Sequence, residues 1–172
     1  AGGGAVVVRR GNAGHALLAS RFITDGSFSE DVLVPVGGTR APLTADNVGD
    51  YRLRVRDPAG MKTRLEEKSL VNFCRVVEDA VTGSGATLAD VKYIAMLHMK
   101  RSAHEQILKR LGLDNERSIY LSDYGHIGQV DQFLSLKLAH EAGKLETGDL
   151  VVLVAAGTGY VWNAICLRWG EP

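Results

Sequence analysis

Cysteine is scarce in this chain, with two in 172 residues. Cys74 and Cys166 lie far apart and share no paired spacing, which argues against a disulfide framework and against a cysteine-based zinc site. They read as reduced, buried small residues of a cytoplasmic protein. Net charge is also missing: 20 Lys and Arg balance 20 Asp and Glu, so composition gives no basic surface for nucleic acid or anionic membrane. No apolar run approaches the roughly 18 residues of a membrane span. No basic stretch precedes the apolar part of AGGGAVVVRRG at the N-terminus, so that segment is not a signal peptide. Low-complexity segments and short internal repeats are absent. What is present is 45% hydrophobic and 23% charged sequence, enough for one substantial core and one domain.

The pattern along the chain alternates between strand and helix. Ala5 to Arg9 is β-branched, Ala16 to Ile23 is a second strand, and Asn12-Ala13-Gly14 between them has turn chemistry, so a hairpin is expected. Residues 35 to 60 hold three of the four prolines and many glycines, which predicts an irregular excursion. Leu65, Leu70, Phe73, Cys74, Val76, Val77 and Ala80 recur at helical spacing, and Gly83 and Gly85 end that helix. Thr87 to Asp90 has the capping-box pattern. Val91 to Leu97 reads as a buried strand, Ser102 to Leu111 as a helix stopped by Gly112, and Ser118 to Leu121 as another short strand. Ile127 to Ala142 reads as a helix with its apolar stripe at Ile127, Val130, Leu134 and Leu138. Leu150 to Ala156 is an unbroken apolar strand buried on both faces. Gly157-Thr158-Gly159 turns the chain into a last strand, Tyr160 to Arg168. Helices alternating with buried strands predict an α/β layered domain.

Three features fall at the carboxyl ends of these strands, where open α/β sheets place their sites. They are His98, His126 and the loop AAGTGY. Each has a bland alternative: a polar residue meeting solvent, a helix-entry contact, and a tight hairpin. His15, His104 and His140 read as surface residues. His98, His104 and His126 have no carboxylate or cysteine at ligand spacing, so no metal site is expected.

Taken in order, GGGAVVV, RFITDGSFSEDVLVP, YIAMLHMKRSAHEQILKRLGL and the closing block DYGHIGQVDQFLSLKLAHEAGKLETGDLVVLVAAGTGYVWNAICLRW resemble the C-terminal half of β-ketoacyl-acyl-carrier-protein synthase III, a thiolase-like condensing enzyme. The resemblance covers nearly all of residues 1–172. It implies one thiolase-like half, a five-stranded mixed sheet with helices on its faces. The nucleophilic cysteine would lie in an N-terminal half that this chain lacks. Cys74 mid-helix and Cys166 in the final strand do not sit at the strand-to-helix elbow such a nucleophile needs.

The implied reaction is a Claisen condensation, in which an acyl thioester is attacked by the enolate of a malonyl-type thioester, in fatty acid or related biosynthesis. The resemblance makes His98 the family's catalytic histidine and puts His126 where synthase III usually has asparagine. Both would donate to the developing oxyanion. A backbone N–H within Gly157, Thr158 and Gly159 would serve the second oxyanion hole. No cofactor is implied, since thioesters of coenzyme A or acyl carrier protein are the substrates. Arg101, with Lys100 beside it, stands where the family usually has a second asparagine. Lys100 and Arg101 are therefore candidate contacts to an acidic carrier or to coenzyme A phosphates, while Lys109 and Arg110 fit a solvated helix face. Gln129, Asp131 and Gln132 replace small residues of the family, and their role stays open between shaping the pocket and hydrating it.

The chain begins as if inside a strand, which suggests a fragment that is inactive alone. It would dimerise or bind its missing half through apolar surface. The alternatives are a non-catalytic acyl- or partner-binding subunit of the same fold, and an α/β binding domain with incidental histidines.

Overall fold

The computed structural model describes residues 2–11 and 14–170. Its central sheet has four strands: β1 (Ala16–Thr24), β4 (Val91–Met96), β5 (Leu150–Gly157) and β6 (Val161–Arg168), in the order β1-β6-β5-β4. β4 and β5 run parallel, while β5 with β6 and β6 with β1 are antiparallel. A separate two-residue ladder joins β2 (Val32–Leu33) to β3 (Arg54–Val55). Among the described residues there are three α-helices: α1 (Pro58–Gly83), α2 (Arg101–Leu111) and α3 (Asp131–Glu141).

The apolar runs of β4 and β5 are buried on both faces, and strand alternation divides them between two cores. Ile94, Met96, Val152 and Val154 face α1 and α2, where Phe73, Val77, Ile107 and Leu108 meet them. Tyr93, Ala95 and Val151 face the other way, toward Ala139 of α3 and Leu167. Helix α1 begins earlier than its apolar stripe because Asp57 caps it: its carboxylate accepts the Gly60 N–H at 3.0 Å, with Pro58 in the first turn. The capping box at Thr87 and Asp90 forms as its pattern predicts. Gly112 ends α2 in the left-handed region, φ +68°.

Three expectations are corrected. Residues 5–9 pair with no strand among the described residues, and Val6, Val7 and Val8 are 59, 92 and 71% exposed. The hairpin therefore does not form, and its turn residues Asn12 and Ala13 lie outside the described residues. Residues 118–121 form no ladder either. They follow β4 through side chains instead: Ser118 Oγ donates to Ile94 O at 2.8 Å, and the Ile119 N–H donates to Tyr93 Oη at 3.1 Å. The sheet thus has four strands where five were expected, with the mixed order unchanged.

The third correction concerns the entrance to α3. The helix starts at Asp131, not Ile127, because Gly125 and Gly128 adopt φ +68° and +83° on either side of His126, a backbone that glycine takes without steric cost. The stripe at Val130, Leu134 and Leu138 is not the buried face. Asp131, Gln132, Ser135 and Ala139 are buried against the sheet, and the apolar residues stay partly exposed.

Candidate active site

The parallel pairing of β4 and β5 brings their carboxyl ends to one rim of the sheet. The ladder continues one residue past β4, where the Leu97 N–H donates to Val154 O at 3.0 Å, and His98 follows at the rim. The entrance to α3 is fastened to the same place, since Gln132 Nε2 donates to Val154 O at 2.9 Å. In front of this rim lies a groove of about 750 Å³. One wall is α1, another is the start of α2, and the floor is the end of β5. His126, Gly157 and Thr158 line it, as do Leu97 and Met99, whereas His98 between those two does not. Lys100 is on the groove wall.

One carboxylate joins the two histidine segments. Asp131 is 0% exposed. Its Oδ2 accepts the His98 N–H at 2.7 Å and lies 2.6 Å from His126 Nδ1, and its Oδ1 accepts the Ile127 N–H at 2.9 Å. The main chain of His98, 33 positions before Asp131, and the ring of His126, five positions before it, therefore meet on a single oxygen. The His126 ring is 55% exposed toward the groove. The half-buried His98 ring packs on Tyr120 with centroids 4.8 Å apart, and its buried Nδ1 has no hydrogen-bond partner among the described residues. Tyr120 is itself fixed by its hydroxyl, which donates to Met99 O at 2.9 Å.

His104 departs from expectation. It is buried, not on the surface, and meets the edge of Tyr120 with centroids 5.4 Å apart. Burial, helped by the charge of Arg101 and by His98, pulls its pKa down to about 4, so it is neutral at pH 7. Arg101 is engaged rather than free: its guanidinium stacks 4.1 Å over the Tyr120 ring and approaches Glu105 at 4.0 Å. Lys109 and Arg110 are exposed in the last turn of α2, and His15 and His140 are exposed as well. Both cysteines are buried. Burial pushes the Cys74 thiol up to about 11 and raises Cys166 too, so neither offers a thiolate. Among the described residues, no three His, Cys, Asp or Glu side chains are placed to hold a metal ion.

Gly157 ends β5 opposite Val161, and the three residues between them turn the chain, with Gly159 at φ +107°. Gly157 and Thr158 reach the groove, whereas Gly159 does not line it. Of the three residues whose part the sequence left undecided, Gln129 lines the groove, Gln132 is buried on Val154 and Asp131 joins the histidine segments. A carboxylate five positions after a histidine carries no recognisable spacing, and its role comes from the irregular turn between the two left-handed glycines.

Comparison with known proteins agrees with this architecture. Residues 81–169 match the family model of the 3-oxoacyl-[acyl-carrier-protein] synthase III C-terminal region. A β-ketoacyl-[acyl-carrier-protein] synthase III of Syntrophomonas wolfei is 31% identical over 99% of this chain and 51% of its own length. A 3-oxopimeloyl-[acyl-carrier-protein] synthase of Rhodothermus marinus is 29% identical, over 98% of this chain and 48% of its own. The crystal structure of the Thermus thermophilus β-ketoacyl synthase III superposes with a TM-score of 0.78 at 23% identity, covering 96% of this chain and 50% of that one. The chain spans about half the length of the curated relatives it matches. The fold is thus one thiolase-like half, and the chain belongs to the 3-oxoacyl-[acyl-carrier-protein] synthase III family.

Proposed function

We propose that this chain is the C-terminal catalytic half of a condensing enzyme that joins an acyl thioester to a malonyl-type thioester. The observation that carries this reading is the meeting of the His98 main chain and the His126 ring on Asp131, beside a groove lined by His126, Gly157 and Thr158. Condensation builds negative charge on a thioester oxygen, and donors fixed before the reaction are worth about 3 kcal/mol each there. His98 supplies one ring N–H and His126 a second, while a main-chain N–H of Gly157 to Gly159 faces the acylated nucleophile. That nucleophile is a cysteine in the portion of the relatives that this chain does not span.

Two further assignments belong to the same reading. Lys100, on the groove wall, contacts the phosphates of coenzyme A or an acidic carrier, with Arg101 steadying the segment through Tyr120. The partly exposed apolar residues of α3, with Phe133 38% exposed, and those of edge strand β1, with Leu17 and Phe22 60 and 61% exposed, are the surface that a cysteine-bearing half or a second copy covers. A subunit without catalysis is the competing reading, favoured by His126 where the family resemblance expects asparagine.

The test is condensation by the chain completed with a cysteine-bearing N-terminal half, followed by chromatography of the 3-oxoacyl product. His98→Ala and His126→Ala are each expected to lower the rate at least about 100-fold. Wild-type rates in both variants refute the catalytic reading, and acyl binding without product supports the subunit.

A further inference from the structure

Asp131 is completely buried and makes three hydrogen bonds, accepting two of them from the main-chain N–H groups of His98 and Ile127. Its third partner is the His126 ring, with Oδ2 and Nδ1 2.6 Å apart. An ionised carboxylate has no proton to give. Two lone pairs facing each other at that separation repel, so the hydrogen between them sits on Nδ1. The other ring nitrogen, Nε2, has no hydrogen-bond partner among the described residues, and the ring borders the groove.

We propose that Asp131 is a positioning residue that holds His126 with its proton on Nδ1 and turns Nε2 to the groove, so that the ring donates to substrate only as the imidazolium. This rests on the reading of His126 as a substrate-facing group. An asparagine amide at the same place is a donor at every pH, whereas the Asp131–His126 pair is a donor in one protonation state and a proton acceptor in the other. The pair therefore makes the second oxyanion contact proton-dependent. The groups around the ring carry mixed charges. Asp131 is in contact, the main chain of His98 shares the same carboxylate, Lys62 and Glu66 of α1 line the groove, and Lys100 stands at the start of α2. Asp131 also ties the main chain of His98 to the same point, so one side chain sets the spacing of both histidine segments.

The experiment is long-range ¹H–¹⁵N correlation on the full chain labelled at histidine nitrogen, with His126→Gln assigning the signals. In neutral His126 the expected pattern is a pyrrole-like Nδ1 and a pyridine-like Nε2, with the Nδ1–H form nearly fully populated. In Asp131→Asn the population shifts toward the Nε2–H form that an unconstrained imidazole prefers. A neutral wild-type ring protonated on Nε2 overturns the proposal, and so does an unchanged tautomer in Asp131→Asn. If the variant does not fold, the wild-type spectrum decides by itself. The tautomer is read without substrate, so a failed condensation reading appears separately, as intact rates in the alanine variants of His98 and His126.

Discussion

Acidification is expected to weaken this fold through His104. The ring is 4% exposed and packs edge-on against Tyr120. In the unfolded chain it takes up a proton near pH 6.5, whereas burial and the nearby Arg101 hold it back to about 4 when folded. Between those values the unfolded state binds more protons, so stability rises with pH. The contribution is intact above about pH 6.5 and is lost as the pH falls toward 4. Each pH unit of that gap is worth about 1.4 kcal/mol, so the total is on the order of 3 kcal/mol. His104→Phe fills nearly the same volume with an apolar ring that does not titrate, and at pH 7.5 it is expected to cost less than about 1.5 kcal/mol. Urea denaturation of both proteins from pH 7.5 to 4 isolates this effect, because the other titrating groups are common to both. With an m-value of about 2 kcal/mol per molar, the urea midpoint of the wild type falls relative to the variant by about 1.5 M. Parallel curves across that range refute the reasoning. So does a wild type that gains on the variant as the pH falls.

Two other outcomes follow from buried groups. Tyr93→Phe removes a hydroxyl that accepts the Ile119 N–H and lies 2.7 Å from the buried Ser135 Oγ. Partners left unsatisfied cost about 1–3 kcal/mol each, so urea titration is expected to show a loss of roughly 2–6 kcal/mol, and a loss under 1 kcal/mol contradicts the role given to this hydroxyl. Cys74 and Cys166 are expected to resist iodoacetamide in the native state at pH 8 and to take up two labels in urea, read by intact mass. Rapid labelling of the folded protein would show that one of them is accessible.

The sequence carried the elements whose signals are local. An unbroken apolar run marked β5 as buried on both faces, because a strand with a core on each side has no need of polar alternation, and the largely apolar run of β4 marked a buried strand. Glycine marked the end of α2, and Thr87 and Asp90 marked their turn. Local signals failed where partners decide. The β-branched residues 5–9 have strand propensity, yet propensity forms no ladder without a neighbour. Residues 118–121 bond to β4 through Ser118 and Tyr93 rather than through main chain. The apolar stripe of α3 pointed to the wrong face, because the helix seats Asp131, Gln132 and Ser135 on the sheet and satisfies them there.

By itself the sequence determined the class of fold, the family resemblance and the place of His98 just past a strand, since these rest on residue type and order along the chain. Tertiary structure alone decided that His98 and His126 meet at one buried carboxylate, that His104 is sealed against Tyr120, and that Arg101 is occupied. Those outcomes depend on which surfaces close on one another. A carboxylate's meaning changes from solvated charge to fixed acceptor when a main-chain N–H 33 residues away in the chain arrives to donate to it.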